Sequence, residues 1–124
     1  MTALVVPDYD EAIAFFTAAL GFTLKEDTDL GDGKRWVVVG GEGGGRLLFA
    51  RATNEAQFAA VGNQTGGRVG WFVHTPDFAA SHARLLAHGA SFVEEPRHEA
   101  YGTVAVFTDP WGNRWDLIEH RKAA

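Results

Sequence analysis

A carboxylate lies in the middle of the last apolar stretch of the chain. Asp116 stands between Trp115 and Leu117 in "NRWDLIEH", residues 113–120, which follows a turn that begins at Asp109. A carboxylate within a strand is costly to bury unless it faces a partner, water or a metal ion. Asp116 could therefore be a metal ligand, a catalytic base or a polar residue at the mouth of a pocket. The purely structural alternative is a salt bridge to a neighbour near the strand end.

A histidine at the end of another apolar stretch is the second candidate. His74 closes "VGWFVH" and follows Gly70 by four residues, so alternation along a strand points Gly70, Phe72 and His74 to one side. Its imidazole could serve as a general base, a hydrogen-bonding group for a ligand or a metal ligand. The alternative is a local hydrogen bond at a strand–helix junction beside Asp77. The other histidines are expected to be solvated: His82, His88, His98 and His120.

Aromatic residues of the strands supply further candidates. Phe72 is expected on the same side as His74, and Tyr101 precedes Gly102 at a strand start, where loop aromatics often close over ligands. Trp36 is a third candidate, although alternation alone leaves its face open. Three other aromatics are expected on the helix side of their strands: Phe49, Trp71 and Trp115.

The composition argues against several kinds of binding partner and several kinds of site. The chain has 124 residues, which predicts one domain, and its net charge of −5, with 11 scattered Lys and Arg, argues against a nucleic-acid partner. No apolar run reaches membrane-spanning length, and we expect a cytoplasmic protein without a membrane partner because no signal-like segment opens the chain. The absence of cysteine excludes disulfides, zinc–cysteine sites and thiol nucleophiles.

The elements that would hold these residues form a repeated pattern. In the first half, residues 3–6 predict a strand, Asp8 and Asp10 cap a helix that ends at Gly21, and two strands flank a glycine-rich hairpin at 40–45. Residues 53–67 resemble a linker with one helical turn.

The second half repeats the first. A strand at 69–75, "VGWFVHT", precedes a helix capped by Asp77 and closed by Gly89, followed by an extended segment and two strands. Aligning Asp8 with Asp77 also aligns Pro7 with Pro76, a shift of 69 residues, and a shift of 68 residues aligns "GGRLLFA" with "GNRWDLI". We therefore predict two tandem βαβββ units. Their expected extents are about 1–52 and about 68–121, and two such half-sheets would enclose a concave cavity suited to a ligand.

Two motifs carry a family resemblance. "VVPDYDEAIAFFTAALGF" near the start and "VFTDPWGNRWDLIE" near the end resemble the vicinal oxygen chelate superfamily, which includes glyoxalase I, extradiol dioxygenases and bleomycin-resistance proteins. The resemblance covers nearly the whole chain and implies an α+β fold of two βαβββ units. It specifies the fold more closely than the chemistry, because this fold supports many activities.

The resemblance also implies where a metal would be bound. The positions that match the metal ligands of the family's enzymes are Met1, Leu48, Gly70 and Asp116, and Asp116 alone carries a plausible ligand atom. A single carboxylate does not hold a transition metal tightly, since catalytic sites generally use three protein ligands. We therefore expect no metal and no other cofactor.

The leading hypothesis is metal-independent binding of a small organic molecule. The expected ligand-binding residues are His74, Asp116, Phe72, Tyr101 and Trp36, and resemblance to the bleomycin-resistance branch implies a homodimer. The alternative is a metal-dependent lyase, isomerase or dioxygenase that combines His74 and Asp116 with Glu94, Glu95, Glu99 or residues of a second chain. A third possibility is a module that binds another protein and no small molecule.

Overall fold

The chain has an α+β fold with two compact units. The computed structural model describes residues 1–41 and 43–121, and its chain contacts divide it into one unit of Met1–Val61 and a second that begins at Gly62. Each unit contains a mixed sheet and a helix between its first two strands, which confirms the predicted fold class. No helix in the described part of the chain has the length and apolarity needed to cross a membrane.

The first unit holds a four-stranded sheet in the order β1-β4-β3-β2, where β1 and β4 are parallel and the other pairs antiparallel. The hairpin between β3 and β4 forms as expected, although Glu42 lies outside the described residues. The elements are β1 Thr2–Val6, α1 Tyr9–Leu20, β2 Thr23–Gly31, β3 Lys34–Gly40, β4 Arg46–Arg51 and α2 Glu55–Ala60.

Helix α1 begins and ends where local chemistry stabilises it. The side chain of Asp8 accepts a hydrogen bond from the amide of Glu11, and Gly21 adopts a left-handed φ of 68° at the other end. Asp10, expected to cap as well, lies inside the first turn and instead forms a 3.0 Å ion pair with Arg35. The apolar face of α1 buries Phe16 against Phe49 of β4.

Strand β2 is the element that the apolar pattern does not reveal. All nine of its residues are exposed, and charged side chains such as Lys25, Glu26 and Asp27 occupy its middle. A polar, charged edge strand resists pairing with another chain, which explains why alternation is absent there. Its pairing with β3, rather than its own hydrophobicity, holds it in the sheet.

The second unit repeats the arrangement with the sheet order β5-β9-β8-β6 and β7 also paired to β8. Its parallel pair, β5 with β9, corresponds to β1 with β4 of the first unit. The segment expected to be extended contains two short strands on the same edge of β8. The elements are β5 Val69–His74, α3 Phe78–Ala87, β6 Ser91–Phe92, β7 Arg97–Glu99, β8 Gly102–Thr108 and β9 Arg114–His120.

The end of α3 allows a first prediction. Gly89 follows His88, the C-cap residue of α3, and has a φ of 97°, and a Cβ there would contact only Pro110, at 3.7 Å. The Gly89→Val substitution is expected to lower the free energy of unfolding by about 1–2 kcal/mol, since the left-handed conformation, rather than a clash, opposes it. Chemical denaturation measures the loss.

The matched variant is Gly89→Asn, because asparagine tolerates the left-handed conformation better than other residues with a Cβ. It should lose clearly less stability than Gly89→Val. Equal stability of Gly89→Val and the wild type would show that the backbone at this helix end does not need glycine.

Candidate functional site

Asp116 lies at the centre of one face of the second sheet. In register, it pairs with Phe72 of β5 on one side and with Val106 of β8 on the other. Its neighbours Trp115 and Leu117 are buried on the opposite face, toward α3, where Glu119 accepts a 2.7 Å hydrogen bond from the amide of Phe78. Alternation therefore points Asp116 away from α3. We call this side the Asp116 face, and it carries Phe72, His74, Val106, Asp116 and His120.

The carboxylate of Asp116 is incompletely satisfied. Its Oδ1 is buried and has no hydrogen-bond partner, and no ion pair involves Asp116 among the residues that the structure describes. Burial raises the pKa of Asp116, the charge of Arg97 opposes this rise, and the charge of Glu94 adds to it. The arrangement is therefore not the salt bridge that was the structural alternative.

Arg97 is held by carboxylates other than Asp116. Its guanidinium forms ion pairs with Glu94 and, at 3.1 Å, with Glu99. The second oxygen of Glu94 also accepts a 3.3 Å hydrogen bond from the amide of Val106, the β8 residue that pairs with Asp116. Arg97, the cation whose charge acts on Asp116, is thus shared by two other acids, which leaves Asp116 with little compensation for its burial.

The raised pKa of Asp116 predicts a distinct pH dependence of stability. When the pKa of an acid is higher in the folded state, the native protein binds more protons than the unfolded chain between the two pKa values. The contribution of Asp116 to the free energy of unfolding therefore falls as pH rises through this interval. Above the folded-state pKa this contribution has reached its lowest value. Removing this titration with Asp116→Asn should increase stability relative to the wild type as pH rises from about 4 to 7.

Asp27 provides a control of opposite sign. Hydrogen bonds from Arg35, at 2.7 and 3.1 Å, lower the pKa of Asp27, so its contribution is present at neutral pH and lost as pH falls through the folded pKa. Urea unfolding across pH should show Asp27→Asn losing stability, relative to the wild type, as pH rises. If the stability of both variants, relative to the wild type, changes in the same direction as pH rises, the environments assigned to Asp116 and Asp27 are wrong.

His74 and His120 contact each other at the end of the Asp116 face. The His120 Nε2 and His74 Nδ1 atoms are 2.9 Å apart, and the ring centroids are separated by 4.8 Å with an interplanar angle of 12°. The expectation that His120 is solvated on its own was therefore incomplete, since it is exposed but paired. The alternative contact of His74 beside Asp77 does not form: the Asp77 carboxylate instead accepts from the amide of Ala80.

The other exposed aromatics of this unit lie near these groups. Phe72, 60% exposed, pairs in register with Asp116, and the 50%-exposed Tyr101 stands in the turn between β7 and β8. The carbonyl of Tyr101 accepts a 2.7 Å hydrogen bond from the amide of Arg121, just after β9, which places it by the end that carries His120. The second sheet thus presents four of the five sequence-predicted site residues: Phe72, His74, Tyr101 and Asp116.

Trp36 belongs to the first unit. Its neighbour Val37 pairs in register with Phe49, which packs on α1, so Trp36 faces away from that helix. The indole N–H donates a 3.3 Å hydrogen bond to Glu26 on β2, and 37% of Trp36 is exposed. The structure thereby supplies the face that alternation had left open. The helix-side placement of the other aromatics is confirmed, since Phe49 and Trp115 are buried and Trp71 stacks on Trp115 at 4.9 Å.

His82 is a correction to the sequence-based expectation. It was expected to be solvated, but it stacks on Phe92 with ring centroids 3.9 Å apart and lies 5.8 Å from Phe78. The stack continues through Phe92 to Phe107 on the α3 side of the sheet. His82 is therefore a packing residue between α3 and the strands, on the side of the sheet opposite the Asp116 face.

Comparison with known proteins decides the family. The model of the Glyoxalase/Bleomycin resistance protein/Dioxygenase superfamily matches residues 1–117. The chain belongs to this superfamily. An uncharacterized protein of Shewanella frigidimarina (strain NCIMB 400) is 50% identical over 94% of this chain and 89% of its own length.

Solved structures of the superfamily's fold agree with this assignment. UcmS2 is 30% identical with a TM-score of 0.76 and covers 94% of this chain and 93% of its own. TnmS3, described as an antibiotic binding protein from Streptomyces sp. CB03234, is 26% identical with a TM-score of 0.71, over 96% of this chain and 92% of its own.

In this member of the superfamily, a side chain at Gly70 would conflict with the preceding loop. A Cβ at Gly70 would come within 2.7 Å of the Thr65 methyl group, and the Thr65 hydroxyl donates to the carbonyl of Arg68. The position that matches a family metal ligand is thus crowded by the 62–68 loop, and a ligating side chain there would displace Thr65. Within residues 1–41 and 43–121, no three His, Asp or Glu side chains are grouped to hold one ion.

Proposed function

We propose that this protein binds a small organic molecule on the Asp116 face, without a metal at Asp116. The observation that carries the proposal is the buried, unpartnered Oδ1 of Asp116 beside the exposed ring of Phe72. A buried acceptor without a donor is unfavourable, and a ligand N–H or O–H would satisfy it. An exposed aromatic ring next to that acceptor offers an apolar surface for the rest of the molecule.

These two groups define the chemistry of the ligand. It should carry a hydrogen-bond donor, either an amine or a hydroxyl, adjoining an aromatic or aliphatic portion that can cover Phe72. His74 and Tyr101, toward the end of the same face, are proposed to contact a ligand long enough to reach them. Trp36, which lies in the first unit, stays a prediction from the sequence.

Relatives support binding as the activity. TnmS3 is described as an antibiotic binding protein, and its 26% identity with this chain extends over nearly the whole sequence. The superfamily also contains enzymes, but Glu94 and Glu99 are bound to Arg97, Glu95 is exposed, and no three acids or histidines of the described residues are grouped to hold one ion. Binding without catalysis is therefore the function that the geometry favours.

The proposal is tested by thermal denaturation in the presence of EDTA. A panel of aromatic antibiotics with amine or hydroxyl groups, metal-free bleomycin among them, should include compounds that raise the Tm of the wild type. Phe72→Ala should reduce this shift, because the apolar contact is lost. Phe58→Ala is the matched control, since Phe58 is similarly exposed, at 54%, on helix α2.

A shift that Phe58→Ala reduces as much as Phe72→Ala would contradict the proposed location. A panel without any shift would contradict small-molecule binding and favour a module that binds another protein. The homodimer and the cytoplasmic location remain predictions from the sequence, and light scattering after size-exclusion chromatography measures the first.

A further inference from the structure

The contact between His74 and His120 brings one nitrogen of each imidazole ring close together at the surface. The two residues end the parallel strands β5 and β9, and both side chains are exposed on the Asp116 face. The ring planes are nearly parallel, with an interplanar angle of 12° and centroids 4.8 Å apart, and one nitrogen of each ring lies 2.9 Å from a nitrogen of the other.

A hydrogen bond between two imidazole nitrogens requires one of them to be deprotonated. When both rings are neutral, one of the two facing nitrogens carries the proton of the hydrogen bond. If that ring changes tautomer and carries its proton on the other nitrogen, both facing nitrogens have a free lone pair. Imidazole nitrogen is a preferred ligand of copper, nickel and zinc. The two side chains are exposed, so modest rotation of the rings can direct both lone pairs at a single ion.

We propose that His74 and His120 form a binding site for a divalent transition ion, copper or nickel. Two imidazole nitrogens on one ion, with metal bonds of about 2.0–2.1 Å, lie about 2.9–3.3 Å apart. The observed separation of 2.9 Å is that of a hydrogen bond, so the two nitrogens already lie within the range that one ion spans, and rotation of the rings turns their lone pairs toward it. Copper should bind more tightly than nickel, following the usual order of affinities.

This site differs from the one at Asp116. Four residues separate Asp116 from His120 along β9, which corresponds to about 13 Å at the usual rise of a strand. No third His, Asp or Glu of the described chain joins the two histidines, so water molecules complete the coordination. Binding is therefore exchangeable and easily removed by a chelator, which is compatible with the metal-free proposal for Asp116.

The test is calorimetric titration of the chelator-treated protein with copper, with nickel as a second probe. The wild type should bind one ion through this pair, and His74→Gln and His120→Gln should each weaken binding at least tenfold. His88→Gln is the matched control, because His88 is exposed on another surface, after α3, and should retain the wild-type affinity.

Electron paramagnetic resonance of the bound copper provides a second readout. Hyperfine coupling to two imidazole nitrogens is expected in the wild type and to one in either glutamine variant. Unchanged affinity in both variants, an effect confined to one of them, or equal weakening by His88→Gln would overturn the proposal. Because the organic-ligand assays contain EDTA, failure of the metal site leaves their outcome unaffected.

Discussion

Replacing Asp109 with alanine is expected to lower the free energy of unfolding by about 3–5 kcal/mol, because several buried donors lose their acceptor at once. Asp109 is only 3% exposed and accepts five hydrogen bonds at the turn between β8 and β9. Its Oδ1 accepts from three consecutive amides, and its Oδ2 accepts from two side chains. The donors are Trp111, Gly112, Asn113 (amide and side chain) and the Trp115 indole.

Alanine would leave these donors without an acceptor in a buried turn, and water reaches them only if the turn opens. Asp77→Ala is the matched control in the same unit, because Asp77 caps α3 through one exposed hydrogen bond from Ala80. Its loss should be about 1 kcal/mol. Urea denaturation measures both variants, and equal losses would show that the buried network is not what stabilises the turn.

The second large effect is expected at Gly62. Its φ is 72°, and a Cβ at this position would lie 1.8 Å from the carbonyl oxygen of Trp111. The Gly62→Ala substitution must therefore separate the 62–68 loop from the turn that Asp109 organises. Overpacking together with the left-handed backbone should lower the free energy of unfolding by about 2–5 kcal/mol.

Gly66→Ala is the control that separates the effect of the left-handed backbone from the effect of overpacking. Gly66 has a nearly equal φ of 69° and no neighbouring atom within 4 Å of the Cβ position, so the conformational term alone acts there. Its expected loss is about 1–2 kcal/mol. If Gly62→Ala and Gly66→Ala lose equal stability in urea denaturation, the close approach of Gly62 to Trp111 has no energetic consequence.

The sequence was sufficient to predict the repeated architecture because its signals are local. Asp8 and Asp77 cap their helices as expected, and Gly21 and Gly89 follow the helix ends with left-handed backbones. Capping, glycine stops and apolar alternation involve residues close in the chain, so they can be recognised without the tertiary structure. Strand β2 was not located because its position depends on pairing with β3.

The candidate site could be predicted only in part. Asp116 and His74 were selected from residue type and alternation, but the contact of His74 with His120 joins residues 46 positions apart. That contact depends on the parallel register of β5 and β9, which no local pattern specifies. The role of Asp109 was also missed, although the sequence "DPWGN" placed it in a turn, because the burial of its carboxylate depends on Trp115 packing behind it.

The fold holds the carboxylate of Asp116 in an unfavourable environment that a ligand would relieve. The position of Asp116 opposite Phe72 follows from strand register, while Arg97, the cation whose charge acts on it, pairs with Glu94 and Glu99. A buried carboxylate oxygen that opposes stability and has no hydrogen-bond partner is explained by a ligand that supplies the missing donor. Asp116→Asn should therefore preserve folding and weaken ligand binding.

The most direct measurement is calorimetric titration, in EDTA, of the panel compound that gives the largest Tm shift, into the wild type and Asp116→Asn. The account predicts at least a tenfold weaker affinity for Asp116→Asn, since a hydrogen bond to a charged group contributes about 1.5–3 kcal/mol. Equal affinities for the two proteins would contradict the claim that Asp116 binds the ligand.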